Sequence, residues 1–288
     1  MIVHPNIKVN LGLKVLRKRE DGFHDIDTIF LPCNDITDTL EVIAGDDYSR
    51  ISASLFARYE AGESLVQGIS PDGKLMITIA RKEGIDWNPL EDLCAKAYFL
   101  LAEEFDLPPV KIFLEKTAPV GAGLGGGSSD AAFTLVCLNE TAGLGLSNER
   151  LAALAARLGS DCAFFIYNRP MRGTGRGEIL EPVDIDLEGH DLKIIVPEGI
   201  SVSTREAYSG IIPRESPGFS LPAGIENIPL PEAVKRPVED WKHLITNDFE
   251  TTVFAKHPAL ADIRRSLYES GALYASMSGS GSALFAIY

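Results

Sequence analysis

Pro119-Val-Gly-Ala-Gly-Leu-Gly-Gly-Gly-Ser-Ser-Asp-Ala-Ala132 is the stretch that decides how the rest of the chain is interpreted. It follows an apolar, strand-like run at residues 110–114 and leads into an apolar run with helical spacing. Glycine tolerates positive φ, so a loop of this kind brings backbone N–H groups close to a ligand. The helix start adds unpaired N–H groups and a partial positive charge. The stretch therefore predicts a phosphate-binding loop, since a flexible linker is not expected between a strand and a helix.

Two familiar phosphate-binding motifs do not fit this loop. Gly121, Gly123 and Gly126 match the G-x-G-x-x-G spacing of dinucleotide-binding folds. That fold also needs a strand ending in an acidic residue about 20 residues further on, whereas Glu140 lies where a helix is predicted to end. The P-loop motif needs a lysine before the hydroxyl residue, and this chain has Gly127 there. The loop therefore belongs to another class of nucleotide site.

Length and composition limit the classes of protein that the chain can represent. Its 288 residues are enough for two domains, and its formal net charge of −14 disfavours nucleic-acid binding. No apolar run reaches the ~18 residues of a membrane span, and the N-terminus has no signal-peptide pattern. The 4 cysteines are widely spaced, which predicts buried thiols in a reducing compartment. We therefore expect a cytoplasmic globular protein that has neither a nucleic-acid nor a membrane partner.

Apolar periodicity predicts strands and helices that do not alternate regularly. Strand patterns cover residues 2–16, 40–43, 75–79, 110–114 and 192–196, and helical patterns cover 92–105, 148–158 and 258–270. Residues 19–22 form a predicted hairpin turn, 172–177 a polar turn, and 212–237 a long loop or weakly helical region. Ser147 is the predicted N-cap of the second of these helices. This mixture favours an α+β fold over a doubly wound sheet.

Residues 119–132, read as P-x-G-x-G-L-G-G-G-S-S-x-A-A, closely resemble the nucleotide loop of the GHMP kinases. Asn6-Ile-Lys-Val-Asn-Leu-Gly-Leu13 and Met277-Ser-Gly-Ser-Gly-Ser-Ala283 resemble the N-terminal and C-terminal signatures of that family. The resemblance implies a two-lobed α+β fold. The ATP lobe, similar to ribosomal protein S5 domain 2, is expected at residues 1–168, and a ferredoxin-like lobe at 169–288. It also implies ATP as co-substrate together with Mg²⁺.

The glycine-rich loop and the strand before it supply the candidate ATP-binding residues. They are Lys116, Pro119, Gly121, Gly123, Leu124, Gly125, Gly126, Gly127, Ser128 and Ser129. Ser128 is also the candidate Mg²⁺ ligand. Either serine could instead be a helix N-cap. Asp130 could cap the same helix or help to hold the metal.

Catalytic roles follow from the resemblance by position. In GHMP kinases an aspartate acts as base on the acceptor hydroxyl with a lysine beside it, and the matching residues are Asp161, within Gly159-Ser-Asp-Cys-Ala-Phe-Phe165, and Lys8. A nearby ammonium stabilises both the carboxylate and the incipient alkoxide. Without the resemblance, Asp161 could equally be the N-cap of a short helix, and a strand lysine could face solvent. A mechanism in which Lys8 and Mg²⁺ alone activate the hydroxyl also stays open.

Arg19-Glu-Asp-Gly-Phe-His24 resembles an element of one branch of the GHMP kinases. That branch phosphorylates the 2-hydroxyl of a cytidine diphosphate-linked polyol on the non-mevalonate route to isoprenoid precursors. Phe23 offers a stacking face to a cytosine, and His24 can hydrogen-bond the edge of the base. Residues 199–208 are similar to the segment that carries the second stacking ring, so Tyr208 would close the sandwich. The candidate substrate-binding residues are Asn10, Phe23, His24, Ser203, Thr204 and Tyr208. Taken singly, Phe23 could be a core ring and His24 a surface histidine.

Two other functions are compatible with the motifs. A GHMP kinase could act on a sugar, homoserine or mevalonate derivative, and Phe23-His24 is the element that discriminates against this. A catalytically silent nucleotide-binding regulator would not need both Lys8 and Asp161. Small-molecule substrates are expected in either kinase case, with a monomer or a weak homodimer as the oligomeric state.

Overall fold

The computed structural model describes residues 1–45 and 47–288, which form two compact units. The first unit comprises Met1–Ile7, Cys33–Pro119 and Gly125–Asn168, and the second comprises Lys8–Pro32, Val120–Leu124 and Arg169–Tyr288. The two units thus interleave along the sequence. The division of the chain into domains at residues 168 and 169 stays a prediction.

Twelve strands and ten α-helices are formed by the described residues. The strands are β1 (Ile2–Val3), β2 (Asn6–Lys18), β3 (His24–Thr37), β4 (Thr39–Ala44), β5 (Leu65–Ile69), β6 (Leu75–Arg81), β7 (Val110–Lys116), β8 (Met171–Gly175), β9 (Ile179–Pro182), β10 (Leu192–Ile195), β11 (Tyr274–Met277) and β12 (Leu284–Ile287). The helices are α1 (Ser52–Arg58), α2 (Leu93–Ala102), α3 (Gly126–Thr141), α4 (Asn148–Leu158), α5 (Cys162–Tyr167), α6 (Thr204–Tyr208), α7 (Leu230–Ala233), α8 (Trp241–Leu244), α9 (Phe249–Lys256) and α10 (Pro258–Glu269). This mixture confirms the predicted α+β class.

A five-stranded sheet in the order β1-β4-β7-β6-β5 forms the framework of the first unit. Only β6 and β7 run parallel, with Ile77 opposite Ile112, and the remaining pairs are antiparallel. Phe113 on β7 belongs to an apolar cluster with Leu55 on α1, whereas α3 packs against β4 and against α2, α4 and α5. The central strand β7 is therefore almost entirely buried, as expected for a strand covered on both faces.

The second unit contains two antiparallel sheets. One has the order β10-β12-β11, and the other, β2-β3-β8-β9, includes strand ends that belong to the first unit. Side chains from β2, β11 and β12 share a core cluster with α6, α9 and Leu260 of α10, and Ile263 and Leu267 pack against it. Burial on one face of α10 is what the predicted helical spacing requires.

Two expectations about secondary structure were wrong. Residues 172–177 are mainly a strand, not a polar turn, because β8 pairs with β3 from Ile26 opposite Gly175 to Phe30 opposite Met171. Gly173 is needed there because an added Cβ would overlap the Phe30 ring. The strand at β10 is present but only partly buried, since it lies at the edge of its sheet.

The other expectations about the chain can be checked within the part that the structure describes. Ser147 accepts a hydrogen bond from the Arg150 amide at the start of α4, as predicted for an N-cap. The cysteines at 33, 94, 137 and 162 are free and buried, also as predicted. None of the described helices has the length and apolar character that crossing a membrane requires.

Candidate active site

The glycine-rich loop adopts left-handed backbone conformations at alternate positions. Gly121, Gly123 and Gly125 have φ of 73°, 79° and 73°. Side-chain-bearing residues rarely adopt this region, which explains why glycine recurs here. Gly125 occupies the N-cap position of α3 without a side-chain cap. Ser128 and Ser129 therefore lie inside the helix, and their interpretation as N-caps is wrong.

The first part of the loop, residues 120–124, is fixed within the second unit by hydrogen bonds to its backbone. The Gly123 carbonyl accepts from Lys8 Nζ at 3.0 Å and from Ser278 Oγ at 2.9 Å. The Leu124 carbonyl accepts from the Lys8 amide at 2.9 Å. A Cβ added to Gly123 would overlap the carbonyl oxygen of Ser278, so no larger residue fits without moving the loop.

Lys8 is buried, with only 2% of its surface exposed, so a solvent-facing strand lysine is excluded. Its ammonium donates to Asn10 Oδ1 at 2.5 Å and lies 5.5 Å from the centre of the Phe30 ring. The side-chain amide of Asn10 in turn donates to Thr28 Oγ1 at 3.0 Å. Asn10 thus orients the ammonium of Lys8, and its predicted contact with substrate stays a prediction.

The second part of the loop, which opens α3, rests on a buried ion cluster in the first unit. Lys116 Nζ lies 2.6 Å from Asp38 Oδ2 and 2.5 Å from Asp130 Oδ2. Asp38 also accepts from the amides of Thr117 and Ala118 at 2.6 and 2.7 Å. The predicted ATP contact of Lys116 stays a prediction, and in this conformation its ammonium is held by two carboxylates.

Charge is not balanced in this cluster, because two carboxylates share one ammonium. Burial alone lowers the pKa of Lys116, but the attraction of Asp130 and Asp38 outweighs it and raises that pKa above its usual value. Burial also raises the pKa of Asp130 well above its usual range, against the attraction of Lys116. Asp130 lies beyond the first turn of α3 and pairs with Lys116, so its interpretation as a helix cap is wrong.

Ser128 and Asp161 belong to neighbouring segments of the first unit. The Ser128 side chain hydrogen-bonds the thiol of Cys162, the residue that follows Asp161. Burial raises the pKa of this thiol to about 12, and the hydrogen bond from Ser128 acts in the opposite direction. Asp161 occupies the N-cap position of α5, where its side chain makes no capping hydrogen bond. The catalytic role of Asp161 stays a prediction.

The predicted Mg²⁺ ligand, Ser128, lies beside Ser129 near the start of α3. Ser128 is partly exposed there, and Ser129 Oγ is buried with no hydrogen-bond partner in the structure. The described residues include no group of three His, Cys, Asp or Glu side chains that could hold a metal. Mg²⁺ usually keeps several waters and uses one or two protein oxygens plus substrate phosphates, so a hydroxyl oxygen fits such a site.

Two segments predicted to hold the acceptor meet within the second unit. The rings of His24 and Tyr208 are stacked, with centres 4.5 Å apart and planes at 19°. Phe23 is 53% exposed with the Arg176 guanidinium 5.0 Å from its ring centre, so it is not a core ring. Of the two adjacent candidate rings, His24 therefore stacks on Tyr208, which also packs edge-on against Phe249, and the predicted sandwich of a base between Phe23 and Tyr208 stays a prediction.

The remaining acceptor candidates lie at the start of α6. Ser203 accepts from the Glu206 amide at 3.1 Å and so caps the helix, and Thr204 Oγ1 lies 3.4 Å from Ser280 Oγ. Burial, followed by the charge of Lys18, lowers the pKa of His24. A lowered pKa keeps the imidazole neutral near neutral pH, when one ring nitrogen donates and the other accepts.

Sequence reasoning missed Asp38, Ser278 and Asn247 as parts of this region. Ser278 stands in the quoted C-terminal signature, but its bond to Gly123 is not visible from spacing. Asp38 lies between two strands and has no local pattern that marks its pairing with Lys116. Asn247 has no repeat or motif, although Asn-Asp before a helical pattern is a recognisable helix-start signal.

Comparison with known proteins shows which family this geometry belongs to. Residues 92–169 match the model of the GHMP kinase N-terminal domain, and residues 230–288 match that of the GHMP kinase C-terminal region. The 4-diphosphocytidyl-2-C-methyl-D-erythritol kinase of Bacteroides fragilis is 42% identical over 288 residues, covering 100% of this chain and 92% of the relative. The chain belongs to the 4-diphosphocytidyl-2-C-methyl-D-erythritol kinase family. The predicted resemblance to GHMP kinases is thereby confirmed.

A more distant relative and one solved structure agree with membership in this family, and a further structure shares the fold. The kinase of the same name from Nitratidesulfovibrio vulgaris is 36% identical, covering 98% of this chain and 87% of its own length. A crystal structure of 4-(cytidine 5'-diphospho)-2C-methyl-D-erythritol kinase superposes with a TM-score of 0.73 at 28% identity, covering 99% of this chain and 89% of that one. Methanococcus jannaschii mevalonate kinase, with a TM-score of 0.60 at 15% identity, covers 100% of this chain and 90% of its own, and it shares the fold.

Proposed function

We propose that the chain transfers the γ-phosphoryl group of ATP to the 2-hydroxyl of 4-diphosphocytidyl-2-C-methyl-D-erythritol, in the non-mevalonate route to isoprenoid precursors. The observation that carries this choice of acceptor is the stacking of His24 on Tyr208, which joins the two segments expected to hold a cytosine. The relative from Bacteroides fragilis, which is similar to this chain over its full length, is named for that acceptor. Mevalonate kinase of Methanococcus jannaschii shares the fold at only 15% identity, so the fold alone does not select the acceptor.

Phosphoryl transfer depends mainly on positioning and on neutralising charge. The left-handed glycines direct backbone amides toward the phosphates, and the start of α3 adds its partial positive charge. Ser128 would hold Mg²⁺, and the ion would supply positive charge against the negative charge that develops during transfer. Lys8, oriented by Asn10 and the Gly123 carbonyl, supplies a fixed cation.

Asp161 is the proposed base, which removes the proton from the acceptor hydroxyl as the phosphoryl group is transferred. The alternative role is an orienting charge, with Lys8 and Mg²⁺ activating the hydroxyl. Asp161→Asn keeps the size of the side chain and removes the base. A fall in kcat of roughly 100-fold or more is expected if Asp161 is the base. A kcat close to that of the unmodified protein would leave Asp161 only an orienting role.

His24 is proposed to recognise the cytosine edge in its neutral form. A neutral imidazole offers one donor and one acceptor, and cytosine presents an amino donor beside acceptor atoms. Because the pKa of His24 is lowered, it stays neutral at neutral pH and becomes charged only as the medium is acidified. Phe23, with Arg176 beside its ring, contributes the exposed stacking surface.

Incubation of the purified protein with Mg-ATP and a panel of acceptors, followed by ³¹P NMR, tests the proposal directly. The expected product is a new phosphomonoester on the cytidine diphosphate-linked acceptor. Preferred turnover of mevalonate, homoserine or a sugar would assign another acceptor. Nucleotide binding without any turnover would indicate a silent regulator.

Three further features belong to the same proposal. The ATP lobe is assigned to residues 1–168 and the second lobe to residues 169–288, the protein acts in the cytoplasm, and it is a monomer or a weak homodimer. The free, buried cysteines support a reducing compartment. Sedimentation velocity over a range of concentrations tests the oligomeric state.

A further inference from the structure

Asn247 is a buried amide, 3% exposed, that lies just before α9 in the second unit. Its Nδ2 donates to two carbonyls, those of Met277 and Gly279, at 2.8 Å each. Its Oδ1 accepts from the Phe249 amide at 3.0 Å. One side chain thus uses both donors and one acceptor to join the start of α9 to the turn that follows β11.

The two carbonyls that Asn247 holds flank Ser278, which contacts the glycine-rich loop. Ser278 Oγ donates to the Gly123 carbonyl at 2.9 Å and accepts from the backbone N–H of Asn10 at 3.3 Å. Gly279 packs so closely that an added Cβ would lie 3.1 Å from Asn10 Oδ1 and 3.3 Å from the Gly123 carbonyl oxygen. The same Gly123 carbonyl receives the ammonium of Lys8.

We propose that Asn247 is a positioning residue for phosphoryl transfer, acting through Ser278 on the Gly123 carbonyl and on Lys8. This inference rests on the proposed function of the glycine-rich loop and of Lys8. Asn247 reaches neither group itself. By holding the backbone on both sides of Ser278, it determines where the Ser278 hydroxyl meets the loop.

Other interactions keep this turn folded when Asn247 is changed. Glu250, which is also paired with Arg264, accepts from the Met277 amide at 2.8 Å and from Ser276 Oγ at 3.0 Å, and the Ser278 amide donates to the Ala283 carbonyl at 2.8 Å. Loss of the Asn247 amide should therefore shift the turn without unfolding it. Displacements of about 1 Å in a catalytic constellation can reduce the rate by roughly 100-fold.

Asn139 provides a matched control in the first unit. Its side chain also fixes a loop through two hydrogen bonds, both with Leu146: it donates to the Leu146 carbonyl at 3.2 Å and accepts from the Leu146 amide at 2.8 Å. It makes no hydrogen bond to a residue assigned to catalysis or binding. Asn139→Ala should therefore lose a comparable loop clamp without affecting the glycine-rich loop.

The experiment is a double-mutant cycle between Asn247 and Ser278, measured as kcat, as KM for each substrate and as Mg-ATP affinity by calorimetry. Asn247→Ala and Ser278→Ala should each lower kcat, Asn247→Ala by roughly 100-fold, with KM for the acceptor changed much less. Because both changes act on the same contact, the double variant should be little worse than the poorer single variant. Asn139→Ala should leave kcat unchanged, both in the otherwise unmodified protein and in the Ser278→Ala background.

Asn247→Asp guards against simple unfolding, because a carboxylate still accepts from the Phe249 amide but cannot donate to the two carbonyls. It should reproduce the loss of kcat while thermal melts show a folded protein. Independent effects of Asn247→Ala and Ser278→Ala would overturn the proposal, as would an unchanged kcat in Asn247→Asp. If the unmodified protein does not phosphorylate the acceptor, the proposed function fails, and the cycle in Mg-ATP affinity still decides whether Asn247 acts through Ser278.

Discussion

Gly123 and Gly126 belong to the same loop, yet their surroundings differ in kind. Gly123 lies in the second unit, where its carbonyl accepts hydrogen bonds from the Lys8 ammonium and the Ser278 hydroxyl. Gly126 lies in the first unit above a buried ion cluster, where an added Cβ would be 3.7 Å from Lys116 Nζ and 3.9 Å from Asp38 Oδ2. One half of the loop is fixed by backbone geometry and the other by charge.

Substitutions in the two halves of the loop should therefore have different effects on activity and stability. Hydrogen bonds to a left-handed backbone depend on shape, so substitutions there should affect activity at every pH. The interactions among Lys116, Asp38 and Asp130 depend on which of the three side chains are ionised. Removing one of them leaves an uncompensated charge in a medium of low dielectric constant. Changes in the ion cluster should therefore affect stability first and should vary with pH.

Gly123→Ala is expected to have the largest effect on activity. The substituted residue would be strained at a φ of 79°, and its Cβ would overlap the Ser278 carbonyl, so the loop must move. A fall in kcat of roughly 100-fold or more is expected, measured by a coupled assay for ADP release. Gly143→Ala is the matched control, because its φ is also positive, at 62°, but nothing lies within 4 Å. Equal loss of activity in both variants would show that backbone strain alone, and not the contact with Ser278, matters at Gly123.

Lys116→Met is expected to have the largest effect on stability. It leaves Asp38 and Asp130 buried together without a counter-charge, which should cost about 3–5 kcal/mol in urea unfolding at neutral pH. The loss should shrink in acid, where a carboxylate takes up a proton. Lys74→Met is the control, since the pair between Lys74 and Asp106 is exposed and should contribute little to stability. Comparable costs for the two variants would contradict a special role for the buried cluster.

Asp130→Asn is expected to have the smallest effect, and its sign should depend on pH. Because burial raises the pKa of Asp130, the folded state holds that proton more tightly than the unfolded chain does. The associated stability is present below the ordinary pKa of about 4 and is lost as the pH rises through the raised, folded-state pKa. The variant should therefore gain stability relative to the unmodified protein as the pH increases.

Thermal melts of Asp130→Asn between pH 5 and 8 measure this trend. Asp262→Asn is the control, because the Asp262 side chain is 61% exposed and should show no such difference. A constant loss of stability across the whole pH range would mean that the ionic form of Asp130 is the stabilising one.

Local patterns predicted the parts of this site that depend on neighbouring residues in sequence. The glycine-rich loop, helix α3 and the Ser147 cap each follow from short-range rules of backbone geometry and capping. The pairing of Lys116 with Asp38 does not, because it joins residues 78 apart in sequence and neither has a distinctive neighbourhood. The partners of Asn247 are likewise distant, so its role became visible only in three dimensions.

The stacking in the acceptor region shows a different limit. The resemblance to one branch of the GHMP kinases singled out Phe23-His24 and Tyr208 as acceptor-site rings, but it could not decide which of the two adjacent rings faces Tyr208. In the structure the Phe23 amide donates to Asp21 Oδ1 at 3.1 Å, just before β3 begins at His24. Phe23 is left exposed, and His24 becomes the stacking partner.

The interleaving of the two units also bears on synthesis at the ribosome. Residues 8–32 leave the exit tunnel early, but Ile26 to Phe30 of β3 pair with Met171 to Gly175 of β8, which are translated much later. Much of β2 and β3 is apolar and must stay unpartnered on that side in the nascent chain, a state that favours aggregation. The edge of β3 that β8 covers in the folded protein therefore stays exposed until residues 171–175 have been synthesised.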